Sequence, residues 1–217
     1  MTRNYPTITI SQEGEKWLDK GQMWMYKNNI QTLDDKIENG ALVDIITPSK
    51  RYLGTGFLSK NSHITVRILS KNQKEVIDEH FFKERIKFAY DFRKTLDKNN
   101  LTNCRLIFGE ADELPGLTVD RYNDILVTQI SSYGLEQIKD NIYRLLLEVL
   151  EEDGQQISGI YERNDINVRS KEGLPMEKGF WKNANCSTQT IICENGLYLN
   201  VDVENGQKTG YFLDQKS

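Results

Sequence analysis

Three carboxylates lie close together in the middle of the chain, at Glu110, Asp112 and Glu113. Glu110 and Asp112 have the residue types and spacing of a general acid and base pair, or of magnesium ligands. The surrounding residues 109–117 are also rich in Gly, Asp and Pro, which is typical of a turn in which Asp112 accepts backbone hydrogen bonds. No histidine or nucleophile lies nearby in the sequence, so the turn is favoured over an unrelated acid/base enzyme.

Cationic and aromatic side chains form a second group with chemical potential, because they can hold a nucleic acid. Arginine and lysine contact phosphates, and exposed rings stack on unpaired bases. Charge and ring type select nine candidate RNA contacts: Lys20, Trp24, Tyr26, Lys50, Arg51, Arg67, Arg121, Arg163 and Arg169. Two other interpretations stay open, since charges also protect sheet edges from pairing and rings more often belong to a core.

Several other kinds of site find no support in the sequence. The segment 206–210 reads Gly-Gln-Lys-Thr-Gly, but it lacks the spacing of a phosphate-binding loop and has no helix after it. The two histidines, His63 and His80, lie in different parts of the chain and cannot build a metal cluster with each other. We therefore predict no metal ligands and no nucleotide-binding motif within these 217 residues.

Composition predicts a packed protein of one large domain or two small ones. The net charge of −4 hides an asymmetry, because residues 1–73 carry ten Lys and Arg against seven Asp and Glu, a net of +3. Three cysteines without Cys-x-x-Cys spacing argue against a disulfide framework or a zinc site. No apolar run reaches the roughly 20 residues of a membrane span, and the first residues lack an apolar signal core. We expect a cytoplasmic location and no membrane partner.

The first seventy residues read as short strands. Residues 7–10 alternate in polarity, and residues 41–47, 52–58 and 64–69 are rich in β-branched and aromatic side chains. Ser11 can cap a short helix between the first two of these runs, with Gly21 ending it. Strands at such close spacing predict a small β-barrel.

The rest of the chain predicts an α+β module and a hairpin. One helix is expected after the Asp78 cap, with an apolar stripe along one face from Phe82 to Leu96. A second helix is expected over residues 135–150. Expected strands and hairpin arms cover residues 104–108, 117–121, 125–131, 158–161, 167–169, 191–193 and 197–203. We place the module boundaries near residues 73 and 175, which leaves residues 176–217 as a hairpin and a glycine-rich, aromatic end.

Three ordered stretches resemble one enzyme family. Residues 105–122 read RLIFGEADELPGLTVDRY, residues 160–173 contain IYERND and VR-x-KEG, and residues 206–215 read GQKTGYFLDQ. In order and spacing these phrases resemble the RlmI-like ribosomal RNA large-subunit methyltransferases, and the similarity covers essentially the whole chain. The resemblance implies an N-terminal PUA-like β-barrel, a central α+β domain and a C-terminal Rossmann-like domain that binds S-adenosylmethionine.

What the resemblance implies about function is methylation of C5 of a cytosine in 23S rRNA through a cysteine thiolate. None of Cys104, Cys186 and Cys193 occupies the family's nucleophile position, and the sequence stops where the Rossmann-like domain should start. The resemblance therefore implies no catalytic residue within these 217 residues and a nucleophilic cysteine downstream of residue 217. The resemblance would place Lys208, Tyr211, Phe212 and Gln215 against the S-adenosylmethionine pocket.

The resulting hypothesis is the RNA-recognition portion of such an enzyme, inactive by itself, with S-adenosylmethionine as cofactor only in the full-length protein. The alternative is a stand-alone RNA-binding module. Ribosomal RNA is the expected partner in both cases, and a homodimer is a further possibility.

Overall fold

The computed structural model describes residues 3–96 and 101–213. The first module contains one helix, α1 (Gln12–Asp19), and six strands. The strands are β1 (Thr7–Ile10), β2 (Trp24–Tyr26), β3 (Ile30–Thr32), β4 (Leu42–Ile46), β5 (Tyr52–Leu58) and β6 (Ile64–Ser70). Four of the six strands are the predicted ones. The strands β2 and β3 were not predicted, because three residues each are too few for a periodic signal.

The six strands form one curled sheet in the order β2-β6-β5-β4-β1-β3. Its two edge strands, β2 and β3, are joined by a single 3-10 turn, Lys27–Asn29, so the sheet must curl until its edges approach each other. Alternate side chains fill the interior with aliphatic residues such as Ile8, Ile45 and Ile68. The predicted small barrel is confirmed in this open form.

The first helix begins and ends as predicted. The Ser11 hydroxyl accepts a 3.1 Å hydrogen bond from the backbone N–H of Gly14, which is an N-cap. Gly21, in the left-handed conformation, follows the last turn, and its N–H donates to the Leu18 carbonyl. Only Leu18 of the adjacent pair Trp17 and Leu18 is buried in the core.

The central module is built on a second sheet, of five strands. These are β7 (Asn103–Phe108), β8 (Leu117–Tyr122), β9 (Ile125–Ile130), β10 (Gly159–Arg163) and β11 (Lys178–Phe180), in the order β11-β10-β9-β8-β7. Its helices are α2 (Glu79–Leu96), α3 (Tyr133–Gln137), α4 (Lys139–Glu152) and α5 (Val168–Glu172). Because β11 pairs with β10, the sheet extends past residue 175, where the sequence placed the end of the module.

Helices α2 and α4 cover one face of this sheet and form the largest core. Asp78 caps α2 by accepting a 3.0 Å hydrogen bond from Phe81 N–H, as predicted. The predicted stripe holds at Phe82 and Ile86 but not at Leu96, which lies on the exposed side at the end of the helix.

Two other predictions for the central module were wrong. The helix expected over residues 135–150 is interrupted at Ile138, which caps α4 and separates it from α3. The strand expected over residues 167–169 is instead the start of α5. Gly173, in the left-handed conformation, ends that short helix, and its neighbour Glu172 is buried.

A hairpin covers part of the other face of the central sheet. Its strands are β12 (Gln189–Glu194) and β13 (Leu197–Asp202), and its two-residue turn places Asn195 and Gly196 in the left-handed conformation. The hairpin was predicted, as was its turn. Ile192 and Val201 bury their side chains against the ends of β8 and β9, so the hairpin shares a core with the central sheet.

Candidate nucleic-acid interface

Strand β2 directs Trp24 and Tyr26 away from the core of the first module. Residues two apart on a strand share a face, and Met25 between them is fully buried. The two rings have different surroundings. The Trp24 indole donates a 2.8 Å hydrogen bond from Nε1 to the Glu110 carboxylate of the central module. Tyr26 instead lines a groove on the surface of the first module, so only one of the two predicted rings is placed for stacking.

We name this depression the aromatic groove; its volume is about 620 Å³. It is lined by Glu13, Trp17, Tyr26, Lys27, Asn28, Asn29 and His63. The Trp17 and Tyr26 rings meet edge to face, with centroids 6.0 Å apart and planes inclined by 62°. Lys27 and His63 are exposed at the groove. Half-buried rings beside exposed cationic or titratable side chains are the elements that hold an unpaired nucleotide.

Three separate elements bring the groove together. Trp17 comes from α1, Tyr26 ends β2, and His63 precedes β6. The β2–β6 pairing sets Tyr26 opposite Ile64, and the Lys27 N–H donates a 3.0 Å hydrogen bond to the His63 carbonyl. Trp17, Lys27 and His63 were not predicted as a group, because the sequence pattern did not reveal β2.

Two polar atoms on residues of the groove wall are buried without a hydrogen-bond partner in the described part of the chain. They are Nε1 of Trp17 and Oδ1 of Asn29. Unsatisfied buried polar atoms are uncommon in folded proteins and often mark a place that water or a ligand completes. Both atoms lie below the surface of the groove wall, so they do not add to the polar groups that the groove presents.

The predicted contacts Lys20, Lys50 and Arg51 are exposed on the first module. Lys50 occupies a turn in the left-handed conformation, with φ of 66°. The Arg51 guanidinium pairs with the Glu15 carboxylate of α1 while remaining about half exposed. All three side chains are accessible to a polynucleotide, and their role stays a prediction.

Arg67 was predicted to contact RNA, and its burial contradicts that prediction. Only 4% of the residue is exposed. Its guanidinium donates a 3.0 Å hydrogen bond to Glu172 and lies 3.4 Å from Glu110, so it joins the first module to the central one. Glu172 in turn accepts hydrogen bonds from the hydroxyls of Ser59 and Ser62. Arg67 thus stabilises the contact between the modules.

Arg121 and Arg169 require the same correction. Arg121 is buried and donates to the Asn123 carbonyl at 2.7 Å and to Gln155 at 2.8 Å. Burial lowers the pKa of this guanidinium. Arg169 is fully buried, and its Nη1 donates both to the Ile130 carbonyl at 2.7 Å and to Glu136 at 2.8 Å. Neither guanidinium can reach a phosphate without unfolding its surroundings.

Arg163 also acts within the protein, at the junction of the central sheet and the hairpin. Its Nη1 donates to the carbonyls of Val203 and Gly206 at 3.0 and 3.1 Å, and its Nε pairs with Asp165. Because these groups use the guanidinium, the structure places Arg163 as an anchor for the segment after the hairpin. Its predicted contact with RNA finds no support in this arrangement.

The segment after the hairpin is fixed to β8 by buried hydrogen bonds. The Thr209 hydroxyl donates to Asp120 at 2.6 Å and lies 2.9 Å from the Tyr122 hydroxyl. The Tyr122 hydroxyl also donates to the Tyr211 carbonyl at 3.0 Å. Burial, reinforced by Asp120, raises the pKa of Tyr122 to about 12, so the hydroxyl keeps its proton as donor. Together with Arg163, these contacts bring the three resemblance motifs to one place.

The residues predicted to face the cofactor lie in this docked segment. Lys208 is exposed, in the left-handed conformation, and its Nζ lies 4.4 Å from the centroid of the Phe212 ring. Tyr211 is half buried, and burial raises the pKa of its hydroxyl. Gln215 lies outside the described residues.

Asp112 is a structural carboxylate in the turn that the sequence favoured. It accepts hydrogen bonds from the Phe108 N–H at 2.6 Å and from both terminal nitrogens of Arg93, at 3.0 and 2.5 Å. Glu110 is directed to a different partner set, Trp24 and Arg67. The turn interpretation is confirmed, and nothing in these contacts supports an acid/base pair.

Three further predictions concern metal ligands, a membrane partner and a homodimer. Residues 3–96 and 101–213 contain no group of three or more His, Cys, Asp or Glu side chains that could hold a metal ion. Among the helices described, none combines the length and apolar character that crossing a membrane requires. The homodimer, which the sequence left as a possibility, finds no support in these parts of the chain.

The first module matches a known protein family. Residues 8–71 match the PUA-like domain family. We call this segment the PUA-like domain because of this match. The aromatic groove therefore lies on the PUA-like domain, and Arg67 belongs to the contact between that domain and the central module.

Curated relatives extend the similarity beyond the PUA-like domain. The ribosomal RNA large subunit methyltransferase I of Shewanella amazonensis is 38% identical over 210 residues, which cover 96% of this chain and 52% of the relative. The protein of the same name from Aliivibrio fischeri is 36% identical over 211 residues, 97% of this chain and 52% of its own length. The resemblance inferred from the three motifs is confirmed. The chain spans about half the length of the curated relatives it matches.

Solved structures share the fold. A Streptococcus mutans protein assigned as a SAM-dependent methyltransferase superposes with a TM-score of 0.77 at 24% identity, covering 97% of this chain and 52% of that one. A second structure, assigned as a methyltransferase and complexed with SAH, gives a TM-score of 0.78 at 24% identity, over 97% and 51%. The arrangement of a PUA-like domain followed by the five-stranded sheet therefore occurs in other proteins.

Proposed function

We propose that this chain is the RNA-recognition portion of an S-adenosylmethionine-dependent methyltransferase that acts on large-subunit ribosomal RNA. The aromatic groove carries the proposal, because it joins two rings, a lysine and a histidine on a PUA-like domain. The names of the relatives give the substrate class. We propose a cytoplasmic location on the same basis.

Within the proposal, the three modules keep the bounds predicted from the sequence, except that the central sheet includes β11. Lys20, Lys50 and Arg51 are proposed to add phosphate contacts to those of the groove. The finer chemistry, transfer to C5 of a cytosine in 23S rRNA, rests on the family resemblance alone.

S-adenosylmethionine is proposed as the cofactor of a protein with the full length of the relatives. Its sulfonium supplies the methyl group when it is bound. The described part of the predicted pocket does not by itself fit this molecule. Thr209 is buried against Asp120, and both backbone polar groups of Tyr211 are hydrogen-bonded to Tyr122. Lys208, Tyr211, Phe212 and Gln215 are proposed as one wall of a site that other residues complete, and we assign no reaction step to this chain.

The experiment that tests recognition is binding of fluorescent single-stranded fragments of 23S rRNA, measured by anisotropy at several salt concentrations. Tyr26→Ala is expected to weaken binding about tenfold or more, since stacking contributes about 1–3 kcal/mol per base. Lys27→Gln is expected to reduce the slope of log affinity against log salt by about 0.7, the value for one phosphate contact to a single strand.

The matched control is Tyr198→Ala. Tyr198 is 79% exposed on the hairpin strand β13, so its loss removes an accessible ring that is not part of the groove. Equal weakening by Tyr26→Ala and Tyr198→Ala would contradict the assignment of the groove. Affinity that does not change with salt would contradict recognition of a polynucleotide.

Inactivity of the chain alone is tested with labelled S-adenosylmethionine and 23S rRNA. No transfer is expected, whereas transfer by these 217 residues would overturn this part of the proposal. The stand-alone binding module makes the same affinity predictions. The stand-alone binding module would be favoured over the methyltransferase if this chain, extended to the full length of the relatives, bound RNA but transferred no methyl group.

A further inference from the structure

A second cleft lies on the central module, on the part of the sheet face next to the hairpin that the hairpin does not cover. Side chains at Thr118, Asp120 and Tyr122 share this face of β8, because alternate residues point the same way. Asp120 and Tyr122 are covered by the segment around Thr209. Thr118, at the other end of the strand, stays accessible and lines an open cleft of about 410 Å³.

The floor of this cleft carries hydrogen-bonding groups that the protein does not use. Thr118 pairs in register with Gln129 on β9, so their side chains stand next to each other. In the described residues, neither the Thr118 hydroxyl nor the Gln129 amide has a hydrogen-bond partner. A primary amide offers both a donor and an acceptor, and a hydroxyl offers either.

One wall supplies a carboxylate that is already held in place. Oε1 of Glu110 accepts from Trp24 at 2.8 Å and is 3.4 Å from Arg67 Nη1. Oε2 has no partner within residues 3–96 and 101–213. Two donors on one oxygen fix the carboxylate, which leaves the other oxygen as a pre-oriented acceptor. The side chain is about one-third exposed, so a ligand in the cleft can reach it.

The other walls are apolar and include a flat ring. Phe108 is 54% exposed at the end of β7, and Ile166 and Val168 line the cleft as well. A ring and aliphatic side chains around a few unsatisfied polar groups, in a space of a few hundred Å³, describe a site for a small planar polar molecule. Proteins that read an unpaired nucleobase use this combination of stacking and hydrogen bonds to the base edge.

We propose that this cleft, which we name the Gln129 cleft, binds one unpaired base of the RNA and favours a base with an exocyclic amino group. The amino group would donate to Oε2 of Glu110, the Gln129 amide would read the adjacent ring nitrogen or carbonyl, and the base would stack on Phe108. A carboxylate acceptor suits an amino-bearing base, which is cytosine, adenine or guanine, and disfavours uracil, which has no amino group. The proposal rests on the proposed function, since it specifies how the same RNA is read.

The test compares binding of oligocytidylate, oligoadenylate and oligouridylate of about 12 nucleotides, a length within the range of single-strand sites. The unaltered chain is expected to bind one or both amino-bearing oligomers about tenfold more tightly than oligouridylate. Gln129→Leu and Thr118→Val are expected to remove most of that preference while leaving affinity for oligouridylate nearly unchanged. Neither variant breaks a hydrogen bond within the described fold, so both should remain folded.

Two controls locate the effect. Gln31→Leu changes an exposed glutamine of β3 in the first module and is expected to leave the preference intact. Tyr26→Ala, in the aromatic groove, is expected to weaken all three oligomers by a similar factor. A nuclear magnetic resonance signal from the Gln129 side-chain NH₂, assigned by its loss in Gln129→Leu, should shift on adding the preferred oligomer.

The outcomes separate this inference from the proposed function. Failure of every oligomer and every rRNA fragment to bind would overturn both. Binding that depends on Tyr26 but shows no preference among bases, or a preference that survives Gln129→Leu, would overturn the Gln129 cleft and leave RNA recognition standing. An unshifted Gln129 NH₂ signal at saturating oligomer would likewise count against the cleft.

Discussion

The PUA-like domain and the central module differ in where most of their predicted RNA-contacting cations lie, although Arg67 of the PUA-like domain is itself buried. The PUA-like domain exposes Lys20, Lys27 and Arg51 on its surface. The central module instead encloses Arg121 and Arg169, whose guanidinium groups donate to backbone carbonyls. A guanidinium has five donors in a rigid fork, so it can tie several carbonyls together inside a protein as readily as it binds phosphate outside. A count of cations therefore overstates the binding surface of this chain.

The largest expected effect comes from the most buried cation. Arg169→Leu removes the donor to the carbonyls of Ile130 and Pro175 and leaves the Glu136 carboxylate with Lys139 as its remaining partner. We expect a loss of about 3–5 kcal/mol in the free energy of unfolding, because a buried ion pair is broken and two buried carbonyls lose a donor. Urea denaturation at neutral pH measures this. Unchanged stability combined with weaker RNA binding would reverse the assignment and return Arg169 to the interface.

A smaller effect, with a pH dependence, is expected from Glu136→Gln. Burial opposes ionisation of Glu136, but hydrogen bonds from Arg169 and Lys139 more than offset it, so its pKa is lowered. A lowered carboxyl pKa contributes stability above the unfolded pKa, and that stability is lost as the pH falls through the folded value. We expect the variant to be about 2 kcal/mol less stable at neutral pH.

The difference between Glu136→Gln and the unaltered chain should stay constant down to roughly pH 5 and shrink at lower pH, because glutamate titrates near 4.3 when unperturbed. Denaturation midpoints measured from pH 7 to pH 3 check this. A difference that grows on acidification would contradict the sign of the shift and the role of Arg169 as its cause.

The smallest expected effect on stability comes from an exposed cation. Arg51→Gln breaks an ion pair with Glu15 at the surface, and such pairs contribute less than about 1 kcal/mol. Its effect should appear instead in RNA affinity at low salt, as the loss of one phosphate contact. Thermal denaturation and anisotropy on the same samples separate the two. If Arg51→Gln proved more destabilising than Arg169→Leu, the contrast between the two regions would fail.

Local patterns in the sequence were sufficient for many elements of this fold. Ser11 and Asp78 cap the helices that follow them, since a side-chain oxygen next to a free N–H needs no distant partner. Asn195 and Gly196 form a hairpin turn because both tolerate the left-handed conformation. The turn at Asp112 was likewise predictable from Gly, Asp and Pro. The motifs at residues 105–122 and 206–215 also identified the relatives.

Tertiary structure alone decided which side chains remain available to a ligand. No local pattern distinguishes Arg169, which is enclosed, from Arg51, which is exposed, because burial depends on elements far away in the sequence. Trp17, Tyr26 and His63 form one groove only through the pairing of β2 with β6. Thr118 and Gln129 stay accessible because the hairpin and the segment around Thr209 cover only the neighbouring part of the same sheet face. Residue type sets what a side chain can bind, whereas packing between distant elements sets what can approach it.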